Sequence, residues 1–151
     1  MTTQVSRPVV VGVDGSPESA AALGFAFDEA SARGLPLVAV YAWRALPSEN
    51  LGPVTMRHYD PDEAAQEAAR LLAEQLAGWP AKYPDVSLER QAVLSFNPAE
   101  TLVDASRTAS LVVVGSRGRG GFAGLLLGSV SRALVHHAHG PVAVVHPYQS
   151  G

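Results

Sequence analysis

The segment 111–131, LVVVGSRGRGGFAGLLLGSVS, governs how this chain is read. An apolar run of strand length, Leu111 to Val114, leads straight into a turn rich in glycine and arginine, and a helix opens at Gly128 and Ser129. A strand, a glycine turn and a helix N-terminus in that order make a phosphate cradle. Gly115 and Gly118 allow a tight turn and a close approach of backbone N–H groups to an anion, and the positive end of the helix points at the same place. Arg117 and Arg119 add charge there. No Lys follows these glycines, and Lys82 is the only lysine of the chain, which excludes a Walker-type loop. Backbone, Ser and Arg are left to hold the ligand.

Outward from this segment, apolar runs keep alternating with helical patterns, the signature of an α/β domain with a mostly parallel sheet. Upstream, Asn97, Pro98 and Glu100 give the cap, first-turn proline and acid of a helix, and 86–94 reads as the strand before it. Asp60, Pro61 and Glu63 repeat that signal for a helix expected to end near Trp79. The loop before it, 44–59, is long for a compact domain and is a candidate cover for a ligand. Leu37 to Trp43 is a strand. Pro8 to Val13 is the first strand, followed by a helix that starts near Ser16, carries Pro17 in its first turn and stops at Gly34. Downstream, Gly128 to His139 is a helix stopped by Gly140 and Pro141, and Val142 to His146 is the last strand. Five parallel strands and four helices with right-handed crossovers give one doubly wound, Rossmann-like sheet. An order of 3-2-1-4-5 puts the ligand between the carboxyl ends of strands one and four. Gly12, Val13 and Asp14 leave one of those strands and Gly115 leaves the other.

The composition fits this reading. A chain of 151 residues is the size of one domain, expected over 1–151, with 47% hydrophobic and 17% charged residues. A formal charge of −3 argues against a general nucleic-acid or membrane-surface binder, so Arg117 and Arg119 mark a local site. The absence of Cys excludes a disulfide framework, a zinc-thiolate site and a cysteine nucleophile. The N-terminal apolar run is too short for a signal peptide and no segment is long enough to span a bilayer, so a cytoplasmic protein is the simplest expectation.

With these residues in view, the chain resembles the universal stress proteins, specifically their ATP-binding subgroup. That family's phosphate motif is Gly, two residues, Gly, nine residues, Gly, then Ser or Thr, and Gly115, Gly118, Gly128 and Ser129 satisfy it in full. The run GSRGRGG and the opening VVVGVDGSPESAAAL are also similar to the family, and the resemblance covers nearly the whole chain. One departure is Ser110, where members usually carry Asp before the fourth strand. The resemblance implies that Gly12, Val13 and Asp14 line the adenosine side, with Asp14 near ribose and adenine, and that Ala42 presents backbone groups to the adenine edge. Gly115, Ser116, Arg117, Gly118, Arg119, Gly120 and Gly121 would wrap the ribose and phosphates. Ser129 and Val130 would offer hydroxyl and N–H groups to the outer phosphates from the helix opening at Gly128. Small residues at Gly12 and Ala42 suit a flat base. The implied ligand is ATP; Mg2+ bridging the phosphates is compatible, although no residue demands it. A stress-response regulator acting through nucleotide-dependent conformation or a protein partner follows, with a homodimer through the last strand, Val142 to His146, whose edge carries unpaired groups. Cyclic AMP is the alternative ligand within the same fold.

Other chemistries fit less well. Asp14 also suits a structural role, capping the first helix together with Ser16, and Arg117 and Arg119 also suit solvated loop charges. His136, His137, His139 and His146 suggest metal ligation, but imidazoles at a helix C-terminus interact favourably with its dipole and typical carboxylate partners are absent nearby; no metal site is expected. Phe122 to Leu127 is either a partner surface or packing under the loop. Gly118, Gly120 and Ala123 resemble a fragment of a redox dinucleotide fingerprint, but follow the wrong strand and lack the later acid. A phosphorelay receiver would need clustered acids after the first strand and a Lys after the fifth. No nucleophile or positioned base accompanies the cradle, so no catalytic residue is assigned and slow ATP hydrolysis is the most that is expected.

Overall fold

The computed structural model describes residues 6–43, 60–117 and 128–147. Along the chain they form β1 (Val9–Gly12), α1 (Pro17–Arg33), β2 (Leu37–Trp43), α2 (Pro61–Leu76), a short α3 (Trp79–Lys82), β3 (Leu88–Leu94), α4 (Pro98–Ala105), β4 (Leu111–Gly115), α5 (Ser129–His137) and β5 (Val142–Val145). The strands make one parallel sheet in the order β3-β2-β1-β4-β5. Four helices of eight residues or more flank it, and the expected doubly wound architecture is present.

The valine-rich strands are continuous apolar runs because both of their faces are covered. Side chains alternate along each strand, so the central strands serve two cores. Val9, Val11 and Val13, with Leu37, Ala39, Leu111 and Val113, face Leu23, Phe27, Leu72 and Leu76 of α1 and α2. Val10, with Val38, Val40, Val112 and Val114, faces Leu102 of α4 and Leu134 of α5. Phe27, with no exposed surface, stacks on Trp79 and Tyr83 at centroid distances of 5.6 and 5.2 Å, which fastens α3 against α1.

Three helices begin at side-chain caps. Ser16, Asp60 and Asn97 accept hydrogen bonds from the backbone N–H of Ser19, Asp62 and Glu100, each with proline in the first turn. Gly34, at φ +66°, ends α1 in the left-handed region. The Ser16 hydroxyl is buried and lies 3.1 Å from the Ser19 nitrogen. Ser16→Ala is expected to cost about 1 kcal/mol, seen in thermal unfolding as a midpoint lower by about 2–4 °C.

Several boundaries differ from the sequence reading. The second helix stops at Leu76, because Gly78 turns the chain at φ +86°, and Trp79 opens a separate turn. The last long helix ends at His137, with Ala138 already extended, one turn before the Gly140–Pro141 stop signal. Pro8 and Val13 fall outside β1, and Val86 and Ser87 fall outside β3. Gly115 belongs to β4, and His146 lies beyond β5.

Candidate functional site

At the sheet's centre the chain leaves β1 toward α1 on one face and leaves β4 toward α5 on the other. Their carboxyl ends therefore frame a crevice, the usual ligand position in a doubly wound sheet. On the β1 side, the Val13 N–H donates to the Val40 carbonyl at 2.9 Å, the last bond between β1 and β2. The chain then turns through Gly15 at φ +85°. The Asp14 carboxylate accepts from the Ser16 N–H at 2.9 Å, bracing this turn, while Ser16 itself caps α1. Asp14 thus supports the helix start without being its cap.

Backbone alternation fixes the role open to Ala42. In a parallel strand both peptide groups of one residue point to the same side, and successive residues switch sides. The Val40 carbonyl faces β1, whereas the Trp43 carbonyl faces β3 and accepts from Ser95. The N–H and C=O of Ala42 therefore point over the end of β1 into the crevice. Gly12 behaves differently from expectation. A Cβ there would stand 2.7 Å from Leu102 Cδ1 and 3.3 Å from Val114 Cγ1, so its smallness admits α4 on the opposite face.

On the β4 side, a Cβ on Gly115 would lie 2.7 Å from the carbonyl carbon and Cβ of Glu18 and 2.8 Å from the Glu18 carbonyl oxygen. The glycine lets the first turn of α1 press on the end of β4. Ser116, buried, donates its N–H to the Val145 carbonyl at 2.9 Å. Its carbonyl accepts twice, from the Gly128 N–H at 2.7 Å and from the Ser131 hydroxyl at 2.9 Å. Ser131 also reaches the Gly128 carbonyl at 3.1 Å. The departure and return of the glycine segment are thereby tied together. Gly118, Arg119, Gly120 and Gly121, the partner surface proposed for Phe122 to Leu127, and the loop 44–59 lie outside the described residues.

The start of α5 is the anion-ready element. Its N-cap, Gly128, has ordinary extended backbone at φ −77° and provides no side-chain cap, in contrast to α1, α2 and α4. The first helical bond is Arg132 N–H to the Gly128 carbonyl, which leaves the amides of Ser129, Val130 and Ser131 without intrahelical acceptors. Ser129 is exposed. Arg117 stands 3.9 Å from the Glu18 carboxylate, a loose pair that an arriving phosphate can compete for.

Sequence reasoning missed Glu18, Ser131 and an additional cavity of about 220 Å³ beside the β1 exit. The cavity is lined by Asp14, Gly15, Tyr41, Leu71, Glu74 and Gln75, so α2 contributes to the site. Glu74 on its rim pairs with Arg70, which also holds the Glu67 carboxyl below the usual carboxylate range through a hydrogen bond. Among the described residues no group of three or more His, Asp or Glu is arranged to hold a metal, and His136, His137, His139 and His146 are exposed. Ser110 bonds the Pro8 carbonyl at 3.2 Å at the opposite end of the sheet, so its departure from the family pattern does not touch the crevice. Among the described residues no helix is long and apolar enough to cross a membrane.

Comparisons with known proteins agree with this fold. The model of the universal stress protein family matches residues 6–146. A universal stress protein of Mycobacterium tuberculosis is 51% identical over 137 residues, covering 91% of this chain and 44% of the relative. The chain thus spans less than half the length of the curated relatives it matches. The structure of the UspA protein from Lactobacillus plantarum superposes with a TM-score of 0.73 at 22% identity, covering 94% of this chain and 99% of that one. A universal stress protein solved in complex with cAMP has a TM-score of 0.63 at 25% identity, covering 95% of this chain and all of that one.

Proposed function

We propose, from the premise that this chain belongs to the universal stress protein family, that the crevice binds an adenine nucleotide, ATP in the first instance, and that the protein acts as a regulator through the bound state. The observation that carries this reading is the juxtaposition of the β1 and β4 exits with an α5 N-terminus that has no side-chain cap. Three amides without intrahelical acceptors at a positive helix end suit a polyphosphate better than any neutral ligand. Asp14 and the backbone of Ala42 suit the ribose and base edge. Ser129, Val130, Arg117 and the glycines from Gly118 to Gly121 suit the phosphates, and Mg2+ is compatible as a bridge between phosphate oxygens. Among the described residues no pair near these groups has the form of a nucleophile and its base, and the proposal includes at most slow nucleotide turnover. Such a protein works by shifting a population of conformations toward one partner. An edge strand at β5 suits pairing with a second copy.

Titrating nucleotide-free protein with ATP and Mg2+ in a calorimeter is expected to give saturable, micromolar binding near one nucleotide per chain. Gly118→Asp is expected to abolish it while leaving the circular dichroism spectrum unchanged. Flat titrations into the millimolar range would remove ATP as the ligand. Cyclic AMP is the second reading, favoured by the cAMP-bound neighbour. Competition between the two nucleotides separates them: cyclic AMP displacing ATP at lower concentration would invert the preference.

A further inference from the structure

The cavity beside the β1 exit holds one polar group whose state is unusual. Gln75 donates its side-chain NH2 to the Leu71 carbonyl one turn earlier on α2, at 3.3 Å. A carbonyl only accepts, so this bond fixes the amide with nitrogen toward the helix and oxygen away from it. The Gln75 Oε1 is buried and has no hydrogen-bond partner. It lies 4.0 Å from the point where a Cβ on Gly15 would stand, beside the turn that leaves β1. A buried acceptor without a donor is disfavoured and calls for an explanation, and a bound group that brings the donor is one.

Size, charge and shape restrict that ligand. At about 220 Å³ the cavity is smaller than the roughly 300–1,000 Å³ of whole-ligand pockets, so it takes one part of a larger molecule. Asp14 and Glu74 line it and make it unwelcoming to phosphate, whereas Arg117 and the α5 amides favour phosphate at the other end of the crevice. The part received here is therefore the uncharged one. Tyr41 and Leu71 supply apolar wall for a flat ring, and the orphan Oε1 asks that ring for an N–H donor.

We infer that Gln75 selects the base, accepting a hydrogen bond from the exocyclic amine of adenine and rejecting a purine with a keto oxygen at that position. The inference rests on the nucleotide-binding reading above and adds its specificity determinant. Two acceptors facing each other repel, so the keto base loses a bond and gains a repulsion.

ATP and inosine triphosphate differ only on the Watson–Crick edge of the base, an amine beside a bare N1 against a keto oxygen beside an N1–H, and make the test. Wild-type protein is expected to bind ATP at least about tenfold more tightly than inosine triphosphate. Gln75→Leu is expected to lose about tenfold in ATP affinity and to narrow the preference for ATP over inosine triphosphate by a similar factor. Its melting temperature should hold or rise, since the orphan acceptor is gone. Gln75→Glu keeps an acceptor and is expected to keep the preference for ATP. Unchanged discrimination in a folded Gln75→Leu variant, or wild-type protein indifferent to the two bases, would overturn the role of Gln75 and leave nucleotide binding standing. Wild-type protein that binds neither nucleotide would overturn both.

Discussion

Gly115→Ala is expected to lower the unfolding midpoint by about 6–12 °C, corresponding to about 3 kcal/mol, the upper end of the overpacking range. The added methyl would sit 2.7 Å from two Glu18 carbons, one of them in the backbone, and 2.8 Å from the Glu18 carbonyl oxygen. These atoms belong to the first turn of α1 and cannot rotate aside; the helix itself must move. Gly12→Ala provides the contrast. Its methyl would also meet an atom at 2.7 Å, but that atom is the Leu102 Cδ1, the end of a side chain that can change rotamer. A clearly smaller loss is expected there. Thermal unfolding of both variants checks the ranking, and equal losses would mean that α1 is not locked against β4. Because Arg117 pairs with Glu18, a displaced α1 also shifts the charge balance at the mouth of the crevice, so Gly115→Ala should weaken ATP binding as well.

The contrast between these two glycines shows what the sequence could and could not reveal. Caps, prolines and glycine stops are local signals, and Ser16, Asp60, Asn97 and Gly34 stand where their chemistry dictates. The doubly wound sheet followed from the alternation of elements and the handedness of crossovers, the order 3-2-1-4-5 is the one present, and β2 spans Leu37–Trp43 as expected. What a glycine makes room for is a tertiary fact. Gly12 was read as space for a base, and in the fold its missing side chain admits Leu102 on the other face. Gln75 was invisible for the same reason. Its place in a polar-patterned helix is legible, but which face of α2 meets the β1 exit depends on Leu72 and Leu76 docking into the core. Ser131 illustrates the point at shorter range: a serine inside a helix is unremarkable until Ser116 returns a carbonyl to it.

Gly128→Asp is expected to move stability and binding in opposite directions. Gly128 has φ −77° and ψ 174°, a conformation any residue adopts, so the substitution carries no backbone strain. An aspartate at this N-cap accepts from the amides of the first turn of α5, which have no intrahelical acceptors, and meets the positive helix end. Together these effects stabilise the fold by roughly 0.5–1 kcal/mol, or about 1–4 °C in the midpoint. The same carboxylate occupies the position proposed for a phosphate and repels what remains of the ligand. ATP affinity should fall by about 100-fold or more, since charge-assisted hydrogen bonds of about 1.5–3 kcal/mol each are lost. Gly128→Ser separates the two causes, because a hydroxyl caps the helix without bringing charge. It should stabilise slightly and bind ATP more weakly than wild type but better than the aspartate variant. A gain in stability coupled to a loss of ligand is the expected mark of a helix end left uncapped for binding. An aspartate variant with wild-type ATP affinity would move the phosphates away from α5 and take the proposed orientation of the nucleotide with them.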